Sequence, residues 1–141
     1  SGTYIATPAT AAAGIAGLEE MTKEALDRIN ALGESLATDL RRILADLEIK
    51  AQVTGYGSLH RIHWTPQPIT HAAAALDQNM DLCDLFHKLM LAKGMFVTKR
   101  GMYAISTPMT PAEIDRAVSA TAETLAELKP IIEKIAPQLI G

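Results

Sequence analysis

The chain has 141 residues and a mass of 15.1 kDa, enough for one domain with its own core and short for a two-domain enzyme. Its 48% hydrophobic and 21% charged residues exclude a disordered or fibrous chain. A net charge of −3, with the basic residues scattered, lacks the electrostatic footprint of a nucleic-acid binder.

No apolar run approaches the roughly 20 residues of a membrane span, and the N-terminus lacks the basic and apolar regions of a signal peptide. The single cysteine, Cys83, has no internal disulfide partner and lies in an apolar helical stretch, so it is expected to be a small buried thiol. These features predict a cytoplasmic protein with neither nucleic acid nor membrane as a partner.

In chain order, Thr7-Pro8 opens the first predicted helix, because Thr can cap and Pro is tolerated at the first helical position. Its Ala and Gly content predicts close packing against another element. A second helix starts near Thr22, with Leu26, Ile29, Leu36, Leu40, Ile43 and Leu47 as its apolar stripe and Glu24, Arg28, Glu34, Asp39 and Arg42 opposite.

From Ile49 the pattern shortens. Ala51–Thr54 and Leu59–Trp64 are rich in β-formers and separated by Gly55-Tyr56-Gly57, so they are predicted as strands. Pro66-Gln67-Pro68 marks a loop, and a broadly apolar helix follows over about Asn79–Ala92, closed by Gly94. Met95–Thr98 and Met102–Ser106 flank Lys99-Arg100-Gly101 and predict a hairpin. Thr110-Pro111-Ala112-Glu113 is the strongest helix start in the chain, a capping box with a first-turn proline. Pro130 predicts a bend or stop near Lys129. Together these elements predict an α+β fold: a small antiparallel sheet of three to four strands covered by helices.

Candidate chemistry is sparse. His60 and His63 stand three apart on a strand and point to opposite faces, so they are not expected to chelate one metal; no metal site is predicted. His71 and His87 are isolated, and Ser58 and Ser106 lack a nucleophile elbow. The carboxylate pairs Glu19-Glu20 and Asp81/Asp84 fall on predicted helix faces, where solvated charge is the ordinary explanation. No catalytic residue is assigned. Arg100, beside a glycine at a hairpin tip, could offer a bidentate donor pair to a carboxylate, although a plain exposed turn arginine has the same pattern. Thr3, just ahead of a helix, could meet a phosphate.

Several ordered patterns then point to a family: Gly2-Thr3-Tyr4 through Pro8, Gly17-Leu18-Glu19-Glu20-Met21-Thr22, Val53-Thr54-Gly55-Tyr56-Gly57-Ser58, Leu89–Gly94 and Ser106–Arg116. Across nearly the whole chain they resemble the C-terminal segment of class III, fold-type I, pyridoxal-phosphate-dependent aminotransferases, including the glutamate-1-semialdehyde aminomutase-like and β-amino-acid aminotransferase-like groups. The resemblance implies a linking helix over residues 1–21, a small α/β domain over 22–141, and a homodimeric parent acting on an amino acid with pyridoxal 5′-phosphate. The aldimine lysine and the acidic partner of the pyridine nitrogen would lie upstream. Thr3 matches the family threonine that contacts the cofactor phosphate of the neighbouring subunit, and Arg100 matches an arginine that binds the substrate carboxylate. Thr7 stands where relatives commonly have Asn, and Lys99-Arg100-Gly101-Met102-Tyr103 replaces the Phe-Glu-Ala-like stretch of the aminomutases. The resulting expectation is part of an aminotransferase or aminomutase, inactive alone. The alternative is a stand-alone α+β binding or dimerisation module.

Overall fold

The structure is a computed structural model that describes Gly2 and residues 7–76 and 78–141. Helix α1 spans Pro8–Glu20 with Thr7 as its cap, and α2 spans Lys23–Asp46 with Thr22 as its cap. Strands β1 (Gln52–Tyr56) and β2 (Leu59–His63) form a hairpin, followed by a short 3₁₀ turn at Ala72–Leu76. Then come α3 (Met80–Ala92), β3 (Met102–Ala104) and α4 (Pro111–Ile135), with a final 3₁₀ turn at Pro137–Leu139.

The sheet is antiparallel in the order β1-β2-β3, so the expected α+β architecture is present with three strands. Register divides it into two faces. Val53 pairs with Ile62, while Gly55, His60 and Tyr103 line up across the strands; Ile62, His60 and Tyr103 are all buried. On the alternate positions Tyr56, Leu59 and Ala104 align, as do Thr54, Arg61 and Met102, and Tyr56 and Leu59 are exposed. The second face is open toward Tyr56 and Leu59 and covered at its other end, where His63, paired with Gln52, is buried.

Helix α2 closes the packed face, since Ile29, Leu36, Leu40, Ile43 and Leu44 join the same buried cluster as Ile62, Trp64, Phe86, Leu125 and Leu128. Leu26, at the start of the expected stripe, remains 39% exposed. The closest approach is at Gly33, where an added Cβ would lie 2.0 Å from the carbonyl oxygen of Gly57 in the β1–β2 turn. Glu34 then accepts the Gly57 N–H at 3.1 Å, fastening the turn to the helix. Arg28, expected on the outer face of α2, donates to the carbonyls of Thr107 and Met109 and holds the loop that leads into α4.

Three expectations are corrected. Residues 95–98 do not form a strand, so the hairpin has one strand arm only. Thr98 and Met102 are bridged by a backbone bond at 3.1 Å, and β3 takes its strand pairing from β2 instead. Helix α4 does not stop near Lys129 but continues past Pro130 to Ile135. The proline removes the donor to the carbonyl of Ala126, which is exposed and can be hydrated, while Leu128 and Ile132 on either side are fully buried and hold the helix down. Finally, α1 contains no buried residue; Ile15 and Leu18 are 59% and 75% exposed, and no described residue approaches a Cβ added at Gly14 or Gly17.

Candidate functional site

Arg100 sits on the tight connection that enters β3. The Gly101 N–H bonds the Thr98 carbonyl at 2.8 Å, and the Thr98 hydroxyl accepts the Met102 N–H at 3.0 Å. Gly101 has φ +80°, a left-handed conformation that a side chain strains. An added Cβ would also lie 2.9 Å from the carbonyl oxygen of Ile62, so glycine is needed for both reasons. The Ile62 N–H donates to the Gly101 carbonyl at 3.1 Å, and Arg61 Nε donates to the Arg100 carbonyl at 2.8 Å. The turn is thus sewn to the neighbouring strand at two successive residues.

A shallow depression beside this turn is lined by Arg61, Thr98, Lys99, Arg100 and Met102. The three cations differ. Lys99 pairs with Asp84 at 3.1 Å, and Asp84 also takes Lys88 at 2.6 Å. The Lys88 and Lys99 bonds hold the Asp84 carboxyl below its ordinary pKa, so Asp84 stays charged and keeps Lys99 engaged. The Arg100 guanidinium is exposed and has no ion pair or hydrogen bond among the described residues. Among the described residues Arg61 bonds only the Arg100 carbonyl, and its buried Nη2 has no partner. Burial lowers the Arg61 pKa and the Arg100 charge adds to that, while Cys83 acts in the opposite sense. An uncompensated guanidinium beside the partly exposed Met102 suits a carboxylate carried on an apolar group.

Thr3 lies outside the described residues. Three of the four histidines take structural positions. His60 Nε2 donates to the Gly57 carbonyl at 2.8 Å, and His87 Nδ1 donates to the Val97 carbonyl at 2.6 Å. His63 Nε2 bonds the Thr54 hydroxyl at 2.8 Å, and burial, with a smaller push from Arg61, lowers its pKa to about 4. Among the described residues no three His, Cys, Asp or Glu side chains gather as a metal set. Cys83 is fully buried, which also raises its thiol pKa. No helix among the described residues is long and apolar enough to cross a membrane.

The residues described here do not fit pyridoxal phosphate as a site of their own. An aldehyde cofactor needs a lysine that can lose its proton in an enclosed pocket. Lys93 is held as a cation instead: the Glu127 bond at 2.7 Å raises its pKa, with Glu123 at 3.2 Å adding to it. Lys23, Lys88, Lys99 and Lys129 are likewise ion-paired, and Lys50 and Lys134 lie exposed on the surface.

The alternation of Leu59-His60-Arg61-Ile62-His63 places Arg61 mid-strand on the face opposite the core residue Ile62, but its place beside the Arg100 turn comes only from the pairing of β2 with β3.

No family model matches the chain. Glutamate-1-semialdehyde 2,1-aminomutase of Nitratidesulfovibrio vulgaris is 30% identical over 133 residues, covering 94% of this chain and 28% of that protein. Beta-phenylalanine transaminase of Variovorax paradoxus is 34% identical over 123 residues, covering 85% of this chain and 28% of that protein. The solved β-phenylalanine aminotransferase of Variovorax paradoxus superposes with a TM-score of 0.80 at 30% identity, over 91% of this chain and 30% of that one. A transaminase with PLP bound superposes with a TM-score of 0.79 at 30% identity, over 92% of this chain and 30% of that one. The chain therefore spans about three tenths of the length of the relatives it matches.

Proposed function

Because the chain belongs to the pyridoxal-phosphate aminotransferase family that includes the glutamate-1-semialdehyde aminomutases and β-phenylalanine transaminase, we propose that it serves as the small domain of a longer aminotransferase or aminomutase. Residues 1–21 link it to a large domain that carries the cofactor and the aldimine lysine, and residues 22–141 form the small domain. In the assembled enzyme, a cytoplasmic homodimer acting on an amino acid, Arg100 binds the substrate carboxylate and Thr3 contacts the cofactor phosphate. Pyridoxal phosphate supplies electron withdrawal from the substrate there; this chain contributes orientation through Arg100 and is inactive alone.

The observation that carries this reading is the Arg100 guanidinium, uncompensated and exposed, on a turn bonded to β2 at two successive residues. The bare α1 and the exposed Tyr56 and Leu59 on the open sheet face offer apolar surface for the remaining mass of the parent. Adding pyridoxal phosphate to the purified chain, reducing with borohydride and mapping adducts by mass spectrometry tests the assignment. The expected result is scattered, substoichiometric labelling of surface lysines. A stoichiometric adduct on one lysine would place an aldimine site within this chain and overturn the assignment.

A further inference from the structure

We propose that Arg61 is a positioning residue for Arg100: through its bond to the Arg100 carbonyl it sets the direction of that guanidinium, and its own unpaired charge keeps the depression selective for anions. The inference rests on the reading of Arg100 as a carboxylate ligand and adds a residue to it.

Arg61 pairs with Met102 in register, so its side chain leaves the sheet on the face opposite Ile62, between the exposed Leu59 and the buried His63, beside the turn that β3 follows. Nε reaches the Arg100 carbonyl at 2.8 Å, while the Ile62 N–H from the same strand takes the next carbonyl, that of Gly101, at 3.1 Å. Two adjacent carbonyls are therefore held by two adjacent residues of β2, which fixes the peptide plane on each side of Gly101 and with it the Cα–Cβ direction of Arg100. An exposed arginine carries several rotatable bonds, and a rigid base removes part of the ordering cost of binding.

The charge argument is separate. Asp84 takes up Lys99 and Lys88, leaving Arg61 and Arg100 as the uncompensated cations around the depression. No carboxylate answers Arg61 among the described residues, although its Nη2 is buried. Two neighbouring guanidiniums without an acid create a local positive potential that an incoming carboxylate relieves.

The test uses the whole chain labelled with ¹⁵N and follows the arginine Nε–H resonances while 3-phenylpropionate, a carboxylate with an apolar tail, is titrated in. The wild-type chain should show a saturable shift at Arg100 that Arg100→Ala abolishes. Arg61→Met should weaken that affinity about fivefold, the scale of one lost hydrogen bond, and flatten its dependence on salt. Arg61→Lys, which keeps the charge but loses the fixed Nε geometry, should recover the salt dependence and only part of the affinity. Should Arg61→Met fail to fold, Arg61→Gln carries the same expectation. An Arg100 response of unchanged affinity and salt dependence in the folded Arg61 variants overturns the positioning role and leaves the Arg100 reading standing. No saturable Arg100 response in the wild-type chain overturns both.

Discussion

Helices α1 and α4 begin alike and end differently. Each opens on Thr-Pro, and each threonine side chain accepts a backbone N–H of the first turn. Yet α4 buries Ile114, Leu125, Leu128 and Ile132, while α1 buries nothing and leaves Ile15 and Leu18 in the open. A cap starts a helix, but an apolar stripe at helical spacing is what attaches it to a body. Capping supplies about 1 kcal/mol, whereas each large side chain buried supplies about 1.5–3 kcal/mol.

The widest separation between the two regions should come from truncating one leucine in each. Leu125→Ala removes a fully buried side chain and should cost about 2–5 kcal/mol, read as a lower midpoint in urea. Leu18→Ala should stay within about 0.5 kcal/mol, because the side chain is 75% exposed. A comparable loss from Leu18→Ala would mean that α1 docks on a surface in solution and would break the contrast.

Glycine substitutions give a smaller and oppositely signed pair. At Gly33 a methyl would be driven into the Gly57 carbonyl, so Gly33→Ala should destabilise by about 1–3 kcal/mol or more and loosen the β1–β2 turn, visible as faster exchange of the Gly57 amide. At Gly14 the same change meets open space and should raise the helicity of α1, favouring it by about 0.5–1 kcal/mol in circular dichroism.

The third effect sharpens the contrast through pH. Unfolded His63 takes up a proton near 6.5, whereas the buried ring resists until about 4. Between those values the unfolded chain holds more protons, so stability of the packed body should fall as pH drops from about 6.5 to about 4, by at most about 1.4 kcal/mol per pH unit. The carboxyls of Asp84 and Glu113 are held below their ordinary values by Lys88 and by Thr110 respectively, so their losses come at lower pH. Thermal melts at pH 7, 6 and 5 should show the decline, and His63→Gln should flatten it. A decline of equal slope in the variant would assign it to other groups.

Much of the fold was legible along the chain because local signals and burial agreed. Thr7 and Thr110 cap the helices as expected, helices begin near Thr22 and Asn79 as expected, and the Gly-rich stretch did join two strands. The exceptions were places where a tertiary contact outweighed a local rule. Pro130 was expected to bend or stop α4, but the helix continues past it, held down by the buried Leu128 and Ile132. Residues 95–98 resemble a strand in composition, yet the Thr98 N–H alone reaches β3, at the Met102 carbonyl, while the Val97 carbonyl is taken by the His87 ring instead of a ladder.

The candidate site divides in the same way. Arg100 beside Gly101 could be singled out from residue types, since a guanidinium next to a permissive glycine is a local pattern. Arg61 could not, because its role depends on which strand lies beside the turn, 39 residues later in the chain. Sequence alone thus determined the helix starts, the class of fold and the family, which rest on spacing and order along one dimension. The tertiary structure alone decided which cations stay uncompensated, since Asp84 reaches Lys99 and misses Arg61 and Arg100 through packing of α3 against the turn, a relation between elements that no local pattern encodes.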